Sequence, residues 1–323
     1  MRSSVSVVIP AWNAADYLKG SVKSALKQDE VEVEVIVVDD RSMDDTFELA
    51  QRIAERDPRV KVLQTRRNGG SPAARNLGLA HATGDWYAVL DADDSFAPGR
   101  LKRLVEFAQR RHLDIAFDNL RLVAPDGTPF REPVFWPREH FDGDDLWTLA
   151  YFARNNRPYR SPRLIGFLKP VISIEFLRQR GVRYDPRLSN SQDYMLILEA
   201  LFRRARAAAM PAAGYNYAIR PDSVSGTATS AEKQQPLIDA EERFLEKFGP
   251  RMRKSDREAL TEHLYCLKLA LQSELVFGAI RRRDPLSLVS ALRYPPGDMP
   301  VQIGRVAKAA ARRVRGIRPM RGR

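Results

Sequence analysis

The chain has 323 residues, 44% of them hydrophobic, with one cysteine and a formal net charge of +12. That length supports one large domain or two smaller ones. A single cysteine excludes an internal disulfide, and no Cys/His spacing suits zinc, which fits a reducing, cytoplasmic setting. No stretch approaches the roughly 18 apolar residues of a membrane span, and the apolar run at 5–9 is broken by Pro10, Asn13 and Asp16 too early for a secretory leader. The positive charge asks for an anionic partner: nucleic acid, an anionic lipid surface or a phosphorylated substrate.

Short apolar runs alternate with helical patterns through the first third. Strands are predicted at 4–10, 33–40, 59–65 and 85–94, with helices at 14–27, 45–55 and 71–81 between them. This alternation predicts an α/β fold with a mostly parallel sheet flanked by helices, built from right-handed βαβ units. In such sheets the ligand lies beyond the carboxyl ends of the strands, where Asn13, Asp39, Asp40 and Asp91–Asp94 all fall. A helix is expected at 98–111, a strand at 114–123, and a turn and loop with exposed aromatics at 125–137. There follow a helix at 142–155, a strand-like piece at 167–173, a helix at 174–180 and an amphipathic helix opening near Asp193. The stretch YNYAIRPDSVSG (215–226) reads as a strand entering a flexible loop, and the pattern from 230 onward is helical. Two units are expected, 1–228 and a helical extension at 229–323.

The segment VLDADDS places Asp91, Asp93 and Asp94 at the end of an apolar strand. Carboxylates this close repel one another unless a positive group lies among them. A hard divalent cation, Mg²⁺ or Mn²⁺, would relieve the repulsion and neutralise a diphosphate leaving group; an acidic turn before the next helix is the plainer alternative. In IVVDDRSMDDT, Ser42, Asp44 and Asp45 offer caps for the following helix, while Asp40 offers an acceptor for the N–H of a nucleotide base.

The pieces SVVIPAWNAADYL, VIVVDDRSMDDT, NGGSPAARNLGLAHATGDWYAVLDADD, SQDY and YNYAIRPDSVSG, in this order over about residues 4–225, resemble glycosyltransferase family 2, in particular its bacterial exopolysaccharide and succinoglycan-type members. The resemblance implies a GT-A fold with a metal-binding DxD motif and an inverting transfer of a sugar from a nucleotide diphosphate. By the same resemblance Pro10, Trp12, Asn13, Asp16, Asp40, Arg75, Asn76, Asp91, Ala92, Arg220 and Ser223 bind the donor. Asp93 is the main metal ligand, Asp91 assists it, and Asp94 stands third. Asp193 is the general base, although Gln192 replaces the acidic neighbour common in the family. Arg75 could equally be a salt bridge that holds the acidic cluster, and Arg220 a surface residue in a hinge.

Trp136 and Trp147 are candidates for an acceptor platform or for packing, and Lys169 for pairing with an acceptor phosphate. Residues 301–323 hold eight Lys/Arg and no acidic residue. On a helix Ile303, Val306, Ala307, Ala310, Val314 and Ile317 form one stripe opposite Arg305, Lys308, Arg312 and Arg315. Such a tail suits an anionic membrane surface, a solvated helix or a disordered end. The expected partners are thus a nucleotide sugar, UDP-glucose first, a lipid-linked saccharide acceptor and the inner face of a membrane. Nucleic acid is not expected, because no recognition signature accompanies the charge. A nucleotidyltransferase would need a Gly-rich basic loop where PAWNAAD stands, and a non-catalytic scaffold is at odds with the intact acidic motifs.

Overall fold

The computed structural model describes residues 3–136, 145–158, 160–161, 164–220, 231–294 and 304. Its first half is β1 (Ser4–Ala11), α1 (Ala15–Leu26), β2 (Glu32–Asp39), α2 (Thr46–Ala54), β3 (Val60–Gln64), α3 (Gly70–His81) and β4 (Trp86–Val89). The strands are parallel in the order β3-β2-β1-β4. Val5, Val7, Val8 and Ile9 of β1 and Val35–Val38 of β2 are all buried, as an apolar run covered on both faces must be. Helix α3 lies so close to the sheet that a Cβ on Gly78 would come within 2.4 Å of Val8 Cγ1 and 3.2 Å of Val38 Cγ2. The acidic turn after β2 caps the preceding helix as well as preparing the next one. Ala14 N donates to Thr46 Oγ1 (2.8 Å) and Ala15 N to Asp44 Oδ2 (3.2 Å), which satisfies the free amides that open α1.

Beyond β4 come β5 (Ser95–Phe96), α4 (Arg100–Arg110), β6 (Ile115–Val123), β7 (Pro129–Val134), α5 (Leu149–Arg154), β8 (Val171–Ser173), α6 (Ile174–Arg180), α7 (Gln192–Phe202) and β9 (Ala207–Ala218). The sheet continues β4-β8-β6-β9-β5, with β7 on β6. Strand β8 runs antiparallel to both β4 and β6, while β6 and β9 are parallel. The sheet is therefore parallel in its first half and mixed in its second. Several local expectations change: the fourth strand, expected over 85–94, is Trp86–Val89, and of the helix expected at 142–155 the described residues form only Leu149–Arg154. The stretch read as a loop with exposed aromatics contains β7, and Trp136 just beyond it is 2% exposed. Asn119 stands in for a strand neighbour there, accepting from Trp136 N (3.0 Å) and donating to Trp136 O (2.6 Å). Strand β9 starts at Ala207, not Tyr215.

The C-terminal helices are α8 (Ala231–Phe248), α9 (Lys254–Arg282) and α10 (Pro285–Arg293). Leu237, Ile238, Phe244, Leu260 and Leu264 join the same hydrophobic core as the sheet. The boundary expected near 228, Ser223 with its loop, and the amphipathic stripe of the tail lie outside the described residues. No helix among the described residues is long and apolar enough to cross a membrane.

Candidate active site

The ends of β1, β2 and β4 open into a cleft of about 800 Å³. Pro10, Trp12, Asn13, Asp40, Arg75, Asp91, Ala92, Asp93, Asp94, Lys169, Asp193 and Arg220 line it. Residues spread along the sequence thus converge because parallel strands present their carboxyl ends on one side.

At its centre two carboxylates and two cations close a ring. Arg75 donates through one nitrogen to Asp91 Oδ1 (2.6 Å) and through the other to Asp193 Oδ1 (2.7 Å). Lys169 Nζ sits 2.7 Å from Asp193 Oδ2 and 3.1 Å from Asp91 Oδ2. Strand pairing builds this contact: Ala88 faces Val171 in the antiparallel β4–β8 ladder, so the residues just beyond β4 meet those just before β8. Burial pushes the Asp193 carboxyl up, but the Arg75 and Lys169 charges outweigh it and hold its pKa below the ordinary carboxylate range. Asp91 responds in the same direction, with burial opposed by Lys169 and Arg75. The same attraction overcomes burial to push the Lys169 ammonium and the Arg75 guanidinium up.

Asp94 is a structural residue by its contacts. Its carboxylate accepts from Tyr215 Oη (2.7 Å) and Ala218 N (2.8 Å), tying the acidic turn to β9. The same Tyr215 Oη accepts from Asp91 N at 3.1 Å. Behind this turn, Arg100 and Asp118 form a fully buried pair. Arg100 also donates to Lys169 O, and Asp118 accepts from Gly214 N at 3.1 Å. A single buried guanidinium thus joins the chain at Lys169 to the start of the β9 segment that carries Tyr215. A Cβ at Gly214 would lie 2.6 Å from Asp118 Oδ2, so the strand passes too close for any other residue. Sequence reasoning missed this hub; the available signal was Asp118, an acid inside the apolar run of β6.

Asp93 differs from its neighbours. Arg220 approaches it only loosely, Nε to Oδ2 3.8 Å, and burial together with the Asp91 charge pushes its pKa up. It is thus the carboxylate left for a hard cation, while both Asp91 oxygens are already bound by Arg75 and Lys169. Among the described residues no group of three or more His, Cys, Asp or Glu side chains gathers to hold an ion. The donor set fits Mg²⁺ or Mn²⁺ in the manner of one protein carboxylate supplemented by phosphate and water oxygens. Arg220 lies over the Tyr17 ring, 3.3 Å from its centroid, and both line the cleft. Tyr17, another lining residue, carried no sequence signal.

The remaining candidates divide. Asp40 lines the cleft, and its carboxylate accepts from Gly69 N (3.0 Å), Gly70 N (2.6 Å) and Thr65 Oγ1 (2.7 Å), anchoring β2 to the start of α3. Asn13, in a left-handed conformation (φ 48°), accepts from Met43 N at 2.8 Å. Asp16 is exposed on α1 and does not line the cleft. Nor does Asn76, whose amide is spent on both backbone groups of Tyr184, at 2.8 and 3.0 Å. Trp136 and Trp147 belong to the core, the latter stacked on Phe117 with centroids 4.5 Å apart, so neither has a free face for a sugar. Lys169 pairs with carboxylates of the protein instead of an acceptor phosphate.

Sequence comparison agrees with this geometry. The profile described as Glycosyl transferase family 2 matches residues 6–165. The succinoglycan biosynthesis protein ExoO of Rhizobium meliloti is 39% identical over 245 residues, covering 76% of this chain and 69% of that protein. The chain belongs to glycosyltransferase family 2. Another family relative, the succinoglycan biosynthesis protein ExoU of the same organism, is 34% identical over 81% of this chain and 74% of its own length. Two solved structures share the GT-A fold of this glycosyltransferase. Staphylococcus aureus TarS in complex with UDP-GlcNAc has a TM-score of 0.60 at 18% identity, covering 89% of this chain and 90% of that one. The mannosyltransferase PcManGT of Pyrobaculum calidifontis, in complex with GDP-Man and Mn²⁺, has a TM-score of 0.59 at 19% identity, covering 96% and 80%.

Proposed function

We propose that this glycosyltransferase moves a hexose, glucose from UDP-glucose in the first instance, onto a lipid-linked saccharide during bacterial surface polysaccharide assembly. The observation that carries the reading is Asp193 held against Asp91 by Arg75 and Lys169, in the cleft that Asp40 and Asp93 also line. Asp40 receives an N–H of the base. Arg75 and Lys169 keep Asp91 and Asp193 ionised, and Asp193 takes the proton from the attacking acceptor hydroxyl. The hydroxyl oxygen forms the new bond to the anomeric carbon on the face opposite the departing diphosphate, so the configuration inverts. Arg220 suits the diphosphate, because its planar fork matches phosphate oxygens. Asp93 would hold Mn²⁺ or Mg²⁺, which supplies charge neutralisation for the leaving group.

The names of the relatives support the polysaccharide setting, and the donors in the two solved complexes support a nucleotide sugar. For the membrane setting, Leu286 and Val289 are exposed on α10, next to Arg281, Arg282, Arg283 and Arg293 and ahead of the basic tail. Calorimetric titration with UDP and GDP, each with Mn²⁺ or EDTA, tests the core of the reading. Metal-dependent binding of one diphosphate, weakened in Asp93→Ala, is expected; binding of neither to folded protein refutes it.

A further inference from the structure

Asp193 lies in the first turn of α7, and the capping residue does not hold that turn. Ser191 is in a left-handed conformation (φ 56°) and its side chain makes no cap hydrogen bond. The turn is held through Tyr194 instead. That ring is sandwiched between Phe152 of α5 and His263 of α9, with centroids 5.4 and 4.8 Å away. Its hydroxyl donates to Glu241 Oε1 of α8 and lies 3.1 Å from His263 Nδ1, which itself faces Glu241 Oε1 at 2.7 Å. Tyr194, Glu241 and His263 are all buried. A buried polar network that is satisfied in this way fixes one arrangement of its members.

The same histidine reaches the segment that leads to Lys169. A backbone carbonyl can only accept, so His263 Nε2 carries a proton and donates it to Asn156 O at 3.0 Å. Asn156 Oδ1 in turn accepts from Gly166 N at 2.6 Å, just ahead of Lys169. The two segments touch there: a Cβ on Gly166 would come within 3.1 Å of Tyr194 Cβ. The 2.7 Å contact between Lys169 Nζ and Asp193 Oδ2 thus joins two stretches of chain that are both tied to His263. Glu241 and His263 stand on the C-terminal helices, beyond residue 165 where the family profile stops. We propose that Glu241 and His263 are positioning residues which, through Tyr194 and Asn156, set Asp193 against Lys169, so that α8 and α9 belong to the machinery of transfer and are not a separable extension. This rests on the reading of Asp193 as the base of a sugar transfer.

The test follows the Asp193 carboxyl by ¹³C NMR on the full chain, from neutral pH to the acid limit of folding, with its signal assigned by its loss in Asp193→Asn. Tyr194→Phe removes one hydroxyl and keeps the stacking. Glu241→Ala removes the oxygen that Tyr194 and His263 share, and Glu241→Gln keeps an oxygen there. None of them alters Arg75, Lys169 or Asp91, the charged groups that act on Asp193. In Tyr194→Phe and Glu241→Ala the carboxyl should take up its proton about one pH unit higher, because Lys169 then holds it less closely. Glu241→Gln should stay near the wild type. In the first two variants kcat per UDP-binding site should fall about 10- to 100-fold, with the Kd for UDP unchanged. A purely structural role would lower the unfolding temperature alone; an unmoved carboxyl and kcat in Tyr194→Phe overturn the proposal, as does an equal effect of Glu241→Gln and Glu241→Ala. If Glu241→Ala does not fold, Tyr194→Phe decides. Full transfer by Asp193→Asn would instead remove the functional reading of the base, whatever the carboxyl shows.

Discussion

Asp193 meets two cations at once, and that fixes how its chemistry should respond to pH. In the proposed role of base it must be ionised. Its pKa is held below the ordinary carboxylate range by Arg75 and Lys169 against the opposing pull of burial, so activity should hold through mildly acidic pH and fall only below that range. Lys169→Met leaves burial opposed by Arg75 alone, and the acid limb of kcat/KM should move to higher pH. An unmoved limb would show that Lys169 does not act on the base. Asp193→Asn should lower kcat by about 10²–10⁴ while calorimetry still registers UDP. Asp91, Arg75 and Asp193 were legible because each sits in a recognisable motif. The role of Lys169 was not, since FLKPV carries no sign of its partners. Those partners appear only when β8 folds antiparallel against β4.

At the scale of elements, α3 is positioned by a missing side chain. Gly78 lets it lie against Val8 and Val38, and from there Arg75 reaches the cleft. Gly78→Ala should destabilise the fold by about 1–3 kcal/mol through overpacking, measurable by urea unfolding, and should also depress kcat by displacing Arg75. Helix α7 is pinned from the other side. Tyr194, next to Asp193, donates to Glu241, stacks on His263 at 4.8 Å and shares it as a partner. His263→Ala leaves Glu241 Oε1 buried without this hydrogen-bond partner and should cost about 1–3 kcal/mol; a change below about 0.5 kcal/mol in thermal unfolding would argue against the contact. The βα units of the first half were readable from apolar runs buried on both faces. Strands β7 and β9 were not: β7 has two prolines and an adjacent Arg–Glu pair, and β9 opens with alanines and a proline, weak strand formers that are held by tertiary pairing to β6.

Across the whole molecule, the sheet gathers the chemistry at one end, while positive charge is concentrated in the C-terminal residues. Deleting residues 301–323 should reduce partition onto vesicles containing anionic lipid, read by co-sedimentation, and spare transfer to a water-soluble acceptor; unchanged partition would discard the tail as the docking element. The two electrostatic systems differ in what shields them. A charge exposed to solvent is screened over a length that shrinks from about 10 Å at 0.1 M to about 3 Å at 1 M. The ring of Arg75, Asp91, Lys169 and Asp193 carries two charges of each sign, and its cations are only 3% and 8% exposed. If the tail docks on an anionic surface as proposed, ionic strength becomes a handle on address alone: salt that lifts the protein from that surface leaves the neutral, enclosed quartet assembled.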